Sequence, residues 1–202
     1  MWMIACQPVE VTKQEVKQEL AEPVIQFPVP IPAPVVVLPA TPACDAAVAD
    51  APTTLFKDRV LVRLPVGVEV NEVPSAAGST MARTDAGETV SACGAAVHQV
   101  AIGLVPKARE RALEGVRDEV LARVHPLAPG AIQWQDVRSD ERELAGSYTF
   151  TGEGGPLRGW FVVKQKHGDL AWALYEASPA AFEALLPTFR MSSTRLLVVP
   201  GG

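Results

Sequence analysis

The sequence has no glycine in its first 66 residues and no long apolar run anywhere. All 15 glycines lie at or beyond Gly67, whereas nine of the 18 prolines lie within residues 1–52. Because no run of 18 apolar residues occurs, no membrane-spanning helix is predicted. With 48% hydrophobic and 20% charged residues, a packed core is expected outside the proline-rich part. The chain therefore divides into a proline-rich arm, residues 1–54, and a folded body, residues 55–202.

A basic excess is also absent. Residues 1–54 carry two lysines against six acidic residues, a sum of −4, and the remainder carries 16 basic and 17 acidic residues, a sum of −1. Neither part has the excess of positive charge that binding to the phosphate backbone of a nucleic acid requires. No polybasic block is present that would bind an anionic membrane surface. Nucleic acid is therefore not expected as a partner, and contact with a membrane would need a lipid anchor.

The first residues, Met3-Ile4-Ala5-Cys6, resemble the end of a bacterial lipobox, with a large apolar residue three before the cysteine and a small one directly before it. The resemblance covers four residues, and the charged and most of the apolar region of a signal peptide are missing. It implies that Cys6 carries a lipid and, with Gln7 next to it, that the chain is anchored to the outer membrane on its periplasmic side. The alternative is an ordinary cysteine in a cytoplasmic protein.

The three cysteines do not form a metal-binding pattern. No CxxC pair occurs and the three histidines are scattered, so neither a metal site nor a cofactor is predicted. If Cys6 carries lipid, Cys44 and Cys93 remain as a pair that could form a disulfide in an oxidising compartment and fasten the arm to the body. The alternative is two unrelated thiols in a cytosolic protein.

The arm combines proline with apolar residues rather than with polar ones. Between Pro23 and Pro39, proline recurs at alternating positions, which excludes helix and favours extended polyproline II backbone. No charge occurs between Glu22 and Asp45, so a bare arm would expose an apolar strip. We predict that it docks along a groove of the body or of a partner protein; the alternative is a stiff stand-off tether. The residues predicted to bind the partner are Phe27, Val29, Ile31, Val35, Val36, Val37 and Leu38.

Strand and helix patterns follow one another through the body. Apolar and polar residues alternate over residues 59–64 and 144–151, which predicts strands. An apolar stripe at helical spacing predicts a helix over residues 107–124. Residues 166–169 are typical of a hairpin turn, and Ser178-Pro179 is typical of a helix start. This order predicts an α+β fold, mainly an antiparallel sheet with two packed helices.

The two ends of the body carry its most characteristic sequence. Residues 56–67 read FKDRVLVRLPVG and predict a strand that runs into a turn, and residues 178–190 read SPAAFEALLPTFR and predict a helix. Together with the mid-chain helix, they resemble the Mog1/PsbP-like α/β sandwich over residues 55–200, in order and pattern rather than in an invariant motif. That family includes photosystem accessory subunits, a nuclear-transport cofactor, bacterial lipoproteins and effector chaperones. The resemblance therefore implies a protein that binds other proteins and has no catalytic site.

The body shows no motif of a common enzyme class. A Gly-x-Ser-x-Gly nucleophile elbow and a Walker loop are both absent. We therefore predict a non-enzymatic bacterial envelope lipoprotein that serves as a structural or accessory subunit of a larger protein assembly, with the arm and the sheet as binding surfaces. The alternative is a cytoplasmic binding module or chaperone that holds an apolar segment of a partner protein.

Overall fold

The computed structural model describes residues 47–74, 79–85, 90–92, 94–126, 132–152 and 155–201. Within these ranges the strands are β1 (Thr53–Leu55), β2 (Val60–Val62), β3 (Asn71–Val73), β4 (Thr80–Arg83), β5 (Val90–Ala92), β6 (Ala95–Val97), β7 (Gln99–Val105), β8 (Gln133–Ser139), β9 (Glu143–Gly152), β10 (Gly155–Lys166), β11 (Asp169–Ala177) and β12 (Leu197–Val198). The helices are α1 (Leu113–Val124), between β7 and β8, and α2 (Pro179–Thr194), between β11 and β12. None of the helices in the described ranges is long and apolar enough to cross a membrane.

Seven strands form one large sheet in the order β3-β4-β7-β11-β10-β9-β8, and every neighbouring pair is antiparallel. A three-stranded antiparallel sheet has the order β1-β2-β12, and β5 pairs with β6. These orders confirm the predicted α+β class, a mainly antiparallel sheet with two packed helices.

The large sheet buries both of its faces. Along β11, Trp172 and Leu174 belong to a core that α1 completes, whereas Ala173 and Tyr175 belong to a second core with α2 and the three-stranded sheet. Because side chains alternate between faces and both faces are covered, β11 reads as a continuous apolar run. The described part of the chain therefore has three layers, with the large sheet in the middle.

The first helix is shorter than its sequence pattern predicts. The prediction of residues 107–124 was wrong for the first six residues, since α1 begins at Leu113. Lys107 has a φ of 53°, outside the right-handed helical region, and Ala108 donates its N–H to the Gly168 carbonyl at 2.8 Å. These residues therefore bond to the β10–β11 hairpin, and tertiary contacts displace the helix start.

The hairpin and the second helix follow their local signals. Lys166 pairs with Asp169 across a two-residue turn, in which His167 and Gly168 have φ angles of 55° and 83°. The Ser178 hydroxyl accepts the Ala181 N–H at 3.4 Å at the start of α2. Both predictions are confirmed, because a turn and a helix cap depend on residues close together in sequence.

Candidate functional site

The turn between β1 and β2 has an unusual backbone. Phe56, Lys57 and Asp58 have φ angles of 58°, 57° and 63°, so three consecutive residues with side chains occupy the left-handed region that favours glycine. Each such residue costs roughly 1–2 kcal/mol. Phe56 anchors the turn, since it is 5% exposed and its N–H donates to Glu72 Oε1 at 2.5 Å. The chain thus keeps a strained turn that glycine would relieve.

Directly after this turn, Arg59 forms an ion pair with Asp169 of the large sheet. Arg59 Nη2 donates to Asp169 Oδ2, and Arg59 Nε donates to the Val199 carbonyl at 3.3 Å. The other carboxylate oxygen, Asp169 Oδ1, accepts the Lys107 N–H at 2.9 Å. Asp169 is buried, so its charge is compensated by protein groups rather than by water. The pair therefore fastens the start of β2, the C-terminal segment and the loop after β7 to the first residue of β11.

A groove of about 460 Å³ opens beside the turn and this ion pair. Its lining residues are Phe56, Lys57, Arg59, Glu72, Thr80, Leu104, Pro106 and Gly201. Phe56 and Leu104 are buried and form an apolar floor, whereas Lys57, Glu72 and Thr80 are exposed. Among the described residues, the lining contains neither histidine nor cysteine, and its arginine is held in the ion pair. This groove, which we call the β1–β2 groove, therefore suits binding of a side chain better than acid–base or nucleophilic chemistry.

A buried polar cluster lies at the other end of β11, on the face that α1 covers. Glu176 is fully buried, and its Oε1 accepts the Tyr148 hydroxyl at 2.5 Å and lies 2.6 Å from His125 Nε2. Burial, followed by the charge and hydrogen bond of Glu176, raises the pKa of Tyr148 well above its ordinary value of 10, so Tyr148 stays a neutral donor. Glu176 lies seven residues along β11 from Asp169, roughly 23 Å away, so the cluster is separate from the groove.

The polar cluster serves the fold. His125 ends α1, where its N–H donates to the Leu121 carbonyl at 2.8 Å, and its ring lies 4.1 Å from that of Phe150. Its bond to Glu176 therefore ties the end of the helix to the centre of the sheet. In the ranges that the structure covers, no group of three histidine, cysteine or acidic side chains is placed to hold a metal ion.

The residues predicted for lipidation, disulfide formation and partner binding lie outside the described residues. They are Cys6, Cys44 and Cys93, and the arm residues Phe27, Val29, Ile31, Val35, Val36, Val37 and Leu38. These predictions therefore stay predictions, and the groove is a site that sequence patterns do not reveal. Local patterns place Arg59 in a strand and Asp169 in a turn, and nothing in them pairs residues 110 positions apart. Glu176 could have been identified from the sequence, because it is a single acidic residue at the end of an apolar strand, and a buried acid needs polar partners.

Comparison with known proteins shows the fold. No protein-family model matches the chain, and no curated protein matches it significantly. The structure is similar to that of the Ran-binding protein Mog1p from Saccharomyces cerevisiae, with 11% sequence identity, a TM-score of 0.51, and coverage of 76% of this chain and 97% of that one. The cyanobacterial PsbP from Synechocystis shares 12% identity with a TM-score of 0.49, over 76% of this chain and 94% of that one. The similarity to Mog1p confirms the Mog1/PsbP-like fold predicted from the sequence.

Proposed function

We propose that the body is a protein-binding module without catalytic activity and that the β1–β2 groove receives a partner protein. The observation that carries this proposal is the strained turn at the groove, where three residues with side chains stay in left-handed backbone. Strain of this kind persists where a function needs the shape it produces. Mog1p, which shares the fold, is a Ran-binding protein, and this supports protein binding as a use of the fold.

The lining of the β1–β2 groove indicates the chemistry of the partner. The buried side chains of Phe56 and Leu104 offer an apolar floor. Lys57 is exposed and forms no ion pair with any residue that the structure describes, whereas Glu72 already accepts the Phe56 N–H. The groove therefore suits a segment that places an apolar side chain on the floor and a carboxylate beside Lys57.

We further propose that the chain is a bacterial envelope lipoprotein, a structural or accessory subunit of a larger protein assembly. The lipobox-like residues before Cys6 support a lipid anchor at that thiol. The apolar, uncharged stretch of the arm supports binding through Phe27 to Leu38 in addition to the body. In this arrangement the anchor sets the location, at the periplasmic side of the outer membrane, and the arm and sheet provide the contacts.

Site-specific photo-crosslinking tests the groove. A benzophenone amino acid replaces the exposed Lys57 or Thr80 at the groove, or Asp118 on α1 as the matched exposed control. We expect one adduct of defined mass from Lys57 and Thr80 and none from Asp118, and the same adduct when the identified partner is purified and mixed with the protein. Equal labelling from all three positions, or labelling from Asp118 alone, would contradict the proposal.

Mass spectrometry of the mature N-terminus tests the proposed lipid anchor and the location in the envelope. A diacylglyceryl group on Cys6 supports the envelope lipoprotein. An intact Met1 together with free thiols at Cys44 and Cys93 contradicts it and supports the cytoplasmic binding module.

Deletion of residues 23–42 should prevent copurification of the partner, and unchanged recovery would show that the arm does not bind it.

A further inference from the structure

The hydrogen bond between Phe56 and Glu72 joins the two sheets at the β1–β2 groove. Phe56 lies in the turn of the three-stranded sheet, whereas Glu72 lies in β3, at the edge of the seven-stranded sheet in the described part of the chain. The Phe56 N–H donates to Glu72 Oε1 at 2.5 Å, across 16 residues of sequence, and both residues line the groove. The shape of the groove therefore depends on this contact between the turn and β3.

Within the described ranges, the Phe56 N–H has no acceptor other than Glu72. Inside the turn, the main chain contributes the bond from the Arg59 N–H to the Phe56 carbonyl at 3.4 Å, which is longer than most N–H···O bonds. Phe56 is buried, so without Glu72 its N–H would be left without a partner at a cost in free energy. A hydrogen bond to an ionised carboxylate is also stronger than one between neutral groups. Glu72 is therefore the group outside the turn that satisfies its first residue.

The backbone of the turn needs such an anchor. Phe56, Lys57 and Asp58 all have positive φ angles, a conformation that residues with side chains rarely adopt in succession. Strained backbone of this kind persists only while contacts with the surrounding structure hold it. A change of φ at the first residue would move Phe56 and Lys57, both of which line the groove. Release of the Phe56 N–H would therefore change the wall of the groove as well as the turn.

We propose that Glu72 is a positioning residue of the β1–β2 groove. It holds the Phe56 N–H, and with it the left-handed turn, in the conformation that receives the partner. Without Glu72, only a fraction of the molecules keeps that conformation, and the affinity for an occupant falls by the same fraction. The proposal rests on the proposed function for the occupant, whereas the effect of Glu72 on the turn is measurable without one.

Amide hydrogen exchange of Phe56, followed by nuclear magnetic resonance on the full chain, tests the bond. Glu72→Ala removes the acceptor and should speed exchange of the Phe56 N–H about tenfold or more. Glu72→Gln keeps an acceptor oxygen of the same reach, so exchange should stay within about threefold of that in the natural protein. The matched control Glu69→Ala removes an exposed carboxylate that bonds to no described residue, and it should leave the exchange rate unchanged. An unchanged rate in Glu72→Ala would overturn the proposal.

A small probe tests the route by which Glu72 affects binding. N-acetyl-phenylalanine carries an apolar ring and a carboxylate, and its affinity is measured from the amide shifts of Thr80 and Leu104 in the groove. Glu72→Ala should weaken the affinity about fivefold or more, and Glu72→Gln should recover most of the loss. Asp58→Gly changes a residue outside the groove lining and lowers the cost of left-handed backbone. It should therefore restore the affinity of Glu72→Ala more than it improves that of the natural protein.

The outcomes separate this proposal from the groove proposal. If Asp58→Gly restores none of the affinity lost in Glu72→Ala, Glu72 acts on the occupant directly and the positioning role is wrong. If the probe does not bind the natural protein although exchange of the Phe56 N–H depends on Glu72, the groove proposal is contradicted, whereas the hold of Glu72 on the turn is confirmed.

Discussion

Arg59 and Asp169, 110 residues apart in sequence, form an ion pair that joins the start of β2 to the first residue of β11. The same carboxylate accepts the Lys107 N–H, so one acidic side chain fixes three segments around the β1–β2 groove. The side chain of Asp169 is 10% exposed and that of Arg59 27%. Water therefore screens this ion pair only in part. Removal of either partner leaves the charge of the other poorly solvated.

Substitution Asp169→Asn removes the charge and keeps the shape. We expect a loss of about 2 kcal/mol in the free energy of unfolding, below the roughly 3–5 kcal/mol for breaking a fully buried pair, because Arg59 keeps some contact with water. Urea denaturation measures the change. The control Asp118→Asn breaks the surface pair with Arg117, in which Asp118 is 64% exposed, and should change stability by less than about 0.5 kcal/mol. Similar losses in both variants would show that the Asp169 pair has no special weight.

Substitution Lys57→Gly should stabilise the protein by about 1 kcal/mol, because glycine adopts the left-handed backbone of the turn without strain. The control Lys57→Ala removes the same side chain and keeps the strain, so its stability should stay near that of the natural protein. If Lys57 also contributes to partner binding, both variants should weaken crosslinking at Thr80. If Lys57→Ala stabilised the protein as much as Lys57→Gly, loss of the lysine side chain, and not relief of backbone strain, would be the cause of the stabilisation.

Glycine substitutions should separate close packing from helix propensity. A Cβ added at Gly103 would lie 2.3 Å from the ring of Trp172, so Gly103→Ala should destabilise the protein by about 2–3 kcal/mol. Gly115 lies in α1 with open space around its Cα, so Gly115→Ala should stabilise by about 1 kcal/mol. Melting temperatures of the two variants should move in opposite directions. A rise in the melting temperature of Gly103→Ala would contradict the packing of Trp172 over β7, and a fall in that of Gly115→Ala would contradict the open space at α1.

The buried Tyr148 should make stability sensitive to alkali. Its pKa in the folded protein is raised well above 10, whereas the unfolded chain ionises near 10, so its contribution is complete below pH 10 and is lost as the pH rises further. Tyr148→Phe should cost about 2 kcal/mol near pH 8 through the lost bond to Glu176. Above about pH 10 the gap should close by about 1.4 kcal/mol per pH unit. A constant gap between pH 8 and pH 11 would show that Tyr148 ionises freely.

The start of α1 shows which part of a helix the local sequence pattern predicts and which part tertiary contacts decide. Its apolar stripe predicted the helix and its end at Val124, but the predicted helix also included residues 107–112, of which Lys107, Ala108 and Arg109 bond to the β10–β11 hairpin instead. The start of α2 at Ser178 and Pro179 and the turn at His167 and Gly168 were predictable, because each depends on a few adjacent residues.

The sequence by itself determined the class of fold, since the period of its apolar residues sets which faces of strands and helices are buried. It also predicts a division into a proline-rich arm and a body, because proline restricts the backbone to extended conformations wherever it recurs. Only the tertiary structure decided the partners of Arg59 and Glu176. The register of the seven-stranded sheet and the packing of its covering layers bring Asp169 to Arg59. They also bring His125 and Tyr148 to Glu176, across separations in sequence that no local pattern encodes.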